Sequence, residues 1–163
     1  MDIPDQSVVR RAFVNSSRSR VASASFPSPW PPRHADDLDV VGWADPKAPR
    51  RAYLLVGPEV VDELVAIELR LPSGSPVGGR RTMCDLCLAV DAPDGAQLMV
   101  AARAGTRGRK GDSVGLCICT DFACSLRVRE PLKAHERSVT GLPDERVPAL
   151  VERVAAFVAR VRD

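Results

Sequence analysis

Histidine is nearly missing from this sequence, with two copies among 163 residues. Neither His34 nor His135 stands near a cysteine pair in the chain. The commonest general base and the commonest ligand of an open metal site therefore lack a context. Aromatic side chains make up only 4%, so large packing anchors are few. No apolar run approaches the roughly 18 residues that a membrane-spanning helix needs. The opening MDIPDQSVVRR puts acids first and has no long apolar stretch, unlike a secretory leader. A cytoplasmic location is therefore expected, and with it reduced thiols in place of disulfides. The glycines of GTRGRKGDSVG are not closed by GK[ST], so they do not make a phosphate loop. No Ser/His/Asp arrangement or dinucleotide fingerprint is present, and no enzymatic activity is expected.

What remains is ordinary for one folded domain over 1–163: hydrophobic residues are 45% and charged residues 27%. The net charge of +2 is unevenly spread. The stretch RAGTRGRKG, 103–111, carries Arg103, Arg107, Arg109 and Lys110 with no acid among them. Such a run suits an acidic protein surface or a phosphate backbone, or it is a solvated loop tip.

The pattern along the chain predicts an α+β fold built on a small antiparallel sheet. Residues 1–35 read as a loop-rich arm, with one or two helical turns around Val8, Val9, Ala12 and Phe13. The four prolines of FPSPWPPRH favour an extended segment. Residues 38–58 read as a turn-rich loop closed by a strand at 52–56. Further strands are predicted at 64–71, 96–103 and 112–118, the last two forming a hairpin whose tip is the basic run. Val147, Leu150, Val151, Val154, Val158 and Val161 recur at helical spacing. They predict a C-terminal amphipathic helix within 143–163, its regular part beginning near Pro148.

The five cysteines carry the chemistry. Cys84 and Cys87 have the two-residue separation of a metal-binding knuckle, and Cys119 and Cys124 form a second pair. Four thiolates suit a tetrahedral zinc ion, and a strand end followed by a short helix suggests a treble-clef-like site. On an extended strand Cys117 and Cys119 face the same side, so both are eligible ligands. Cys119 is preferred because it is nearer the turn, leaving Cys117 as a small apolar side chain. A site closed by four sulfurs has no coordination position for water.

The motifs RAFVN, GWADPKAP, MCDLC, RKGDSVG and CTDFACSLRVR occur in this order. Together they resemble the carboxy-terminal treble-clef zinc finger of elongation-factor-G-binding proteins, the FusB type linked to fusidic acid resistance. The resemblance spans nearly the whole chain and implies one structural Zn2+ on Cys84, Cys87, Cys119 and Cys124. It also implies a protein partner, elongation factor G, whose release from a stalled ribosome such proteins assist. Contacts are implied near the knuckle at Leu86 and at Lys110 and Ser113, to which charge adds Arg107 and Arg109. The resistance proteins carry a helical amino-terminal bundle for which this sequence has no room, so resistance itself is not expected to carry over. Direct binding to RNA or the ribosome is the alternative. It is disfavoured because no stacking aromatic lies between Arg103 and Lys110.

Overall fold

Alternation of apolar and polar residues becomes five antiparallel strands in simple order, β1-β2-β3-β4-β5. These are β1 Val40–Ala44, β2 Arg51–Val56, β3 Val65–Arg70, β4 Ala96–Ala102 and β5 Ser113–Cys119. Helices α1 Gln6–Arg11 and α2 Arg18–Ala22 precede the sheet, and α3 Pro58–Val61 and α4 Gly105–Arg109 interrupt it. Helices α5 Cys124–Arg127 and α6 Arg146–Arg162 follow. The structure is a computed structural model that describes residues 1–32, 38–75, 78–132 and 144–163. His34, His135 and residue 143 lie outside the described residues.

Strands β2 to β5 match the sequence pattern closely, but β1 is a correction. Residues 40–44 are not loop: Val40 pairs with Val56 and Val41 with Leu55. Gly42 masks the strand in the sequence because glycine has low strand propensity. Its reason lies elsewhere in the fold. A Cβ there would meet Phe122 Cδ1 at 2.6 Å and Leu54 Cδ2 at 2.9 Å. A second correction is the tip of the β4–β5 hairpin, which coils into α4 instead of forming an open loop. A third is α2, which puts a second helix into the arm expected to be mainly loop.

Helix α6 covers one face of the sheet, burying Leu150, Val154, Phe157, Val158 and Val161 against Ile67, Leu116 and their neighbours. Phe157 belongs to this stripe and was missed by counting valines; Val147 and Val151 are only half-buried. The helix begins two residues before Pro148. Its first intrahelical bond runs from Ala149 N–H to the Glu145 carbonyl. Pro148 therefore sits in the first turn, where a missing N–H costs no helical bond.

The opposite face of β1–β3 gathers most of the scarce aromatic residues. Phe26 stacks on Trp43 with ring centroids 5.2 Å apart, and Trp30, Tyr53 and Phe13 complete the cluster. The Tyr53 hydroxyl donates to the buried Asp45 carboxylate at 2.7 Å. Burial, helped by that carboxylate, raises the Tyr53 pKa to about 12.

The amino-terminal segment does more than cover this face. Strands β3 and β4 pair at Arg70↔Val100. Near Ala66, residues 12–14 take the next lane of the sheet. Ala66 N–H donates to the Ala12 carbonyl at 2.9 Å, and Val14 N–H to the Ala66 carbonyl at 3.0 Å. Asn15 closes the wedge. Its amide donates to the Glu68 carbonyl (2.9 Å) and the Ala102 carbonyl (3.0 Å) while accepting from Glu68 N–H (2.8 Å). One side chain thus replaces a missing rung between β3 and β4.

Asn15→Ala removes that rung and strands three backbone groups in a half-buried position. The expected cost is about 1–3 kcal/mol. It should appear as a lower urea midpoint with an unchanged m-value; an unchanged midpoint would show that water replaces the amide freely.

Candidate metal centre

Cys84 and Cys87 are brought together by a turn that closes on itself. Leu88 N–H donates to the Cys84 carbonyl and Cys84 N–H to the Ala89 carbonyl, both at 3.0 Å. Leu88 takes the left-handed conformation, φ 59°, to make this possible. Asp85 then stitches the turn to β5. Its N–H donates to the Cys117 carbonyl at 2.8 Å, and its carboxylate accepts from Cys117 N–H at 2.6 Å. On the far side, Arg153 of α6 donates to the Leu86 carbonyl at 2.7 Å.

The second pair spans the end of β5 and the start of α5. Phe122 N–H donates back to the Cys119 carbonyl at 3.1 Å, with Phe122 at φ 55°. Asp121 accepts from Ala123 N–H at 3.0 Å, which turns the chain into α5 at Cys124. Phe122 rests over Gly42, and the buried Ser125 hydroxyl bonds both the N–H (3.2 Å) and the carbonyl (3.1 Å) of Val40. The sheet edge and the second turn are therefore one unit.

The four sulfurs of Cys84, Cys87, Cys119 and Cys124 lie within 4.8 Å of one another. Cys84 and Cys124 are 3.6 Å apart, Cys87 and Cys119 3.5 Å. Tetrahedral Zn–S bonds of about 2.3 Å put sulfurs about 3.8 Å apart, whereas a disulfide needs about 2 Å. The donor set and spacing thus fit one structural zinc ion. Cys117 is outside this cluster, as the preference for Cys119 anticipated.

Electrostatics support the same reading. Hydrogen bonds from Cys119 and Cys124 lower the pKa of the Cys87 and Cys84 thiols. The same contacts, Cys119 first, push Cys124 up. Thiols this close oppose one another's ionisation, and a central dication lets all four exist as thiolates. Arg127 adds a cation at the rim. It donates to Cys119 Sγ at 3.4 Å and pairs with Asp121 at 2.7 Å. Asp85, Arg127 and Ser125 were not anticipated as supports of the site. Asp85 and Arg127 lie inside the two cysteine motifs, but no spacing rule distinguishes them from surface charges.

The expected partner contacts fare differently. Leu86 does not form an exposed tip: it is 1% exposed and packs in the core beneath α6. Of the two residues between the knuckle cysteines, Asp85 faces outward and Leu86 inward. The exposed apolar side chains here are Met83, Leu88 and Val90. Arg107, Arg109, Lys110 and Ser113 are all exposed. Arg107 nevertheless has an acidic partner, Asp112 at 3.0 Å, one position past the run that looked free of acids. Nor does that run lie beside the knuckle. The knuckle is tied to β5 at Cys117, whereas the run leads into the first residue of that strand, Ser113, four positions away, or about 13 Å at 3.3 Å per residue.

Residues 8–161 match the family described as FBP C-terminal treble-clef zinc-finger. Comparison with curated proteins and with solved structures gave no match. No helix among the described residues is long and apolar enough to cross a membrane.

Replacing one ligand leaves three thiols around a dication and removes folding free energy supplied by the metal. Cys119→Ser should lose zinc and thermal stability together, while Cys117→Ser keeps the metal; metal analysis showing the reverse would overturn the ligand set. Gly42→Ala should act on the same site from a distance. Its Cβ must displace Phe122, at about 1–3 kcal/mol, and zinc should then leave at a lower chelator concentration than in the parent protein.

Proposed function

Since this chain belongs to the FBP C-terminal treble-clef zinc-finger family, we propose that its zinc-stabilised fold binds a protein partner, translation elongation factor G, and assists its release from the ribosome. Bound zinc supplies a cross-link between the two turns and, with four sulfur ligands, offers water no coordination position. The reading therefore assigns the centre no hydrolytic role.

The observation that carries the proposal is the row of apolar side chains on the knuckle. Met83 is 51% exposed, Leu88 46% and Val90 61%. Leu88 and Val90 also line a groove of about 480 Å³ whose wall carries both signs of charge, Arg127 and Arg146 with Asp91 and Glu130. Apolar side chains gathered on a rigid turn suit a protein surface with an apolar centre. The turn closes on itself at Cys84 and is tied to the Cys117 backbone and the Arg153 side chain, so little order is lost on docking. Arg107, Arg109, Lys110 and Ser113, at the far end of β5, take a different part in this reading. The charge of the three cations steers approach, and the knuckle sets residence time.

Leu88→Asn gives a clean test because asparagine tolerates the left-handed backbone better than leucine. The variant should keep its zinc and melting temperature yet dissociate from elongation factor G about tenfold faster, the scale of losing one buried leucine. Reversing Arg107, Arg109 and Lys110 to glutamate should instead slow association, most visibly at low salt. Failure of the parent protein to retain elongation factor G in a nuclease-treated pull-down would refute the reading.

A further inference from the structure

The basic run and the amino-terminal arm meet in a cleft that neither segment suggests alone. It encloses about 340 Å³ and is lined by Arg20 of α2, Arg70 of β3, Arg103 just before α4 and Arg109 at its end. Four arginines from three parts of the fold, α2, β3 and the segment around α4, thus line one space. Small residues keep it open, among them Ser16, Ser17 and Gly105. Gly108 also lines it, and a Cβ there would lie 1.7 Å from the Arg103 carbonyl oxygen. Glycine is what lets α4 press down on that wall.

The arginines are held from beneath. Glu68 is 3% exposed, and one of its carboxylate oxygens accepts from the Ser16 hydroxyl. The other faces Arg70 Nε at 3.4 Å and Arg20 Nη2 at 3.9 Å, without a hydrogen bond of its own. Asn15, which also lines the cleft, is fixed by its three bonds to β3 and β4. Arg103 is anchored to the Arg160 carbonyl, and Arg109 to Thr106 at 3.0 Å. The cations are therefore preorganised, and one carboxylate balances only part of their charge.

We infer that this cleft binds a phosphate group. A carboxylate presents two oxygens and one charge, which one or two guanidinium forks satisfy. A phosphate presents more acceptor oxygens in a tetrahedral array, so forks arriving from several directions can engage it together. No aromatic side chain lines the cleft, so base stacking is not part of the recognition, and the phosphate itself is what is read. The same chemistry is offered by a polynucleotide backbone and by free phosphate.

The test uses the full zinc-loaded chain and three probes: a labelled single-stranded oligouridylate, inorganic phosphate, and polyglutamate of matching length. The oligouridylate should bind with an affinity that falls as salt rises. Arg20→Gln combined with Arg109→Gln should weaken it about tenfold and lower the salt slope by about 2, one per lost phosphate contact. Arg129→Gln, which removes a cation paired with Asp39, should leave binding as it was. Displacement by millimolar phosphate would assign a single-phosphate site, and resistance to it a backbone site; either supports the inference. Equal binding of polyglutamate, wild-type binding by the double variant, or no binding of oligouridylate and phosphate alike would overturn it.

Discussion

The fold depends on bringing four thiols, from two turns far apart in sequence, to within one metal ion's reach. Those turns hold much else in place. The first is tied to β5 through Asp85 and to α6 through Arg153. The second is tied to the sheet edge through Ser125 and through Phe122 lying over Gly42. A chain with few aromatic anchors and one modest core gains rigidity from a cross-link at this crossing point. The ligand loops also need left-handed backbone at Leu88 and Phe122, a conformation such residues avoid. Metal coordination helps to offset that local cost.

Much of this was legible in the sequence, and the reasons differ by element. The four ligands could be read because C-x-x-C spacing is a geometric constraint with few solutions. Strands β2 to β5 could be read because alternation records which face is buried. Strand β1 could not, since Gly42 answers to Phe122, a contact across 80 positions that no local pattern reports. Leu86 was misplaced for a similar reason. The knuckle spacing shows that the chain turns, but the bonds of Asp85 to Cys117 decide which way each intervening side chain points. The basic run was read as one patch, whereas folding parts it: Arg107 turns to Asp112 and the C-terminal Asp163, and Arg109 to the cleft.

The two faces of the sheet have separate tasks. One carries α6 and supports the metal centre, so its apolar residues answer to packing alone. The other draws the amino-terminal arm over β1–β3 through an aromatic cluster and leaves arginines at its margin. Apolar exposure gathers on the knuckle, beside Cys117, and cationic exposure ahead of Ser113, so the chain presents two surfaces of different chemistry along β5.

The Asn15 wedge also bears on the order in which the chain assembles. Its acceptor at Ala102 lies 87 positions further along. The segment around Asn15 must therefore wait until β3 and β4, which follow it in the chain, have emerged and found each other. Contacts of such long range form late, because the loop they close is costly until its walls exist. The arm thus docks only after its two neighbouring strands are in place. For a time the newborn sheet presents an open lane, and the length of that interval is set by translation speed rather than by the strength of any bond in the finished molecule.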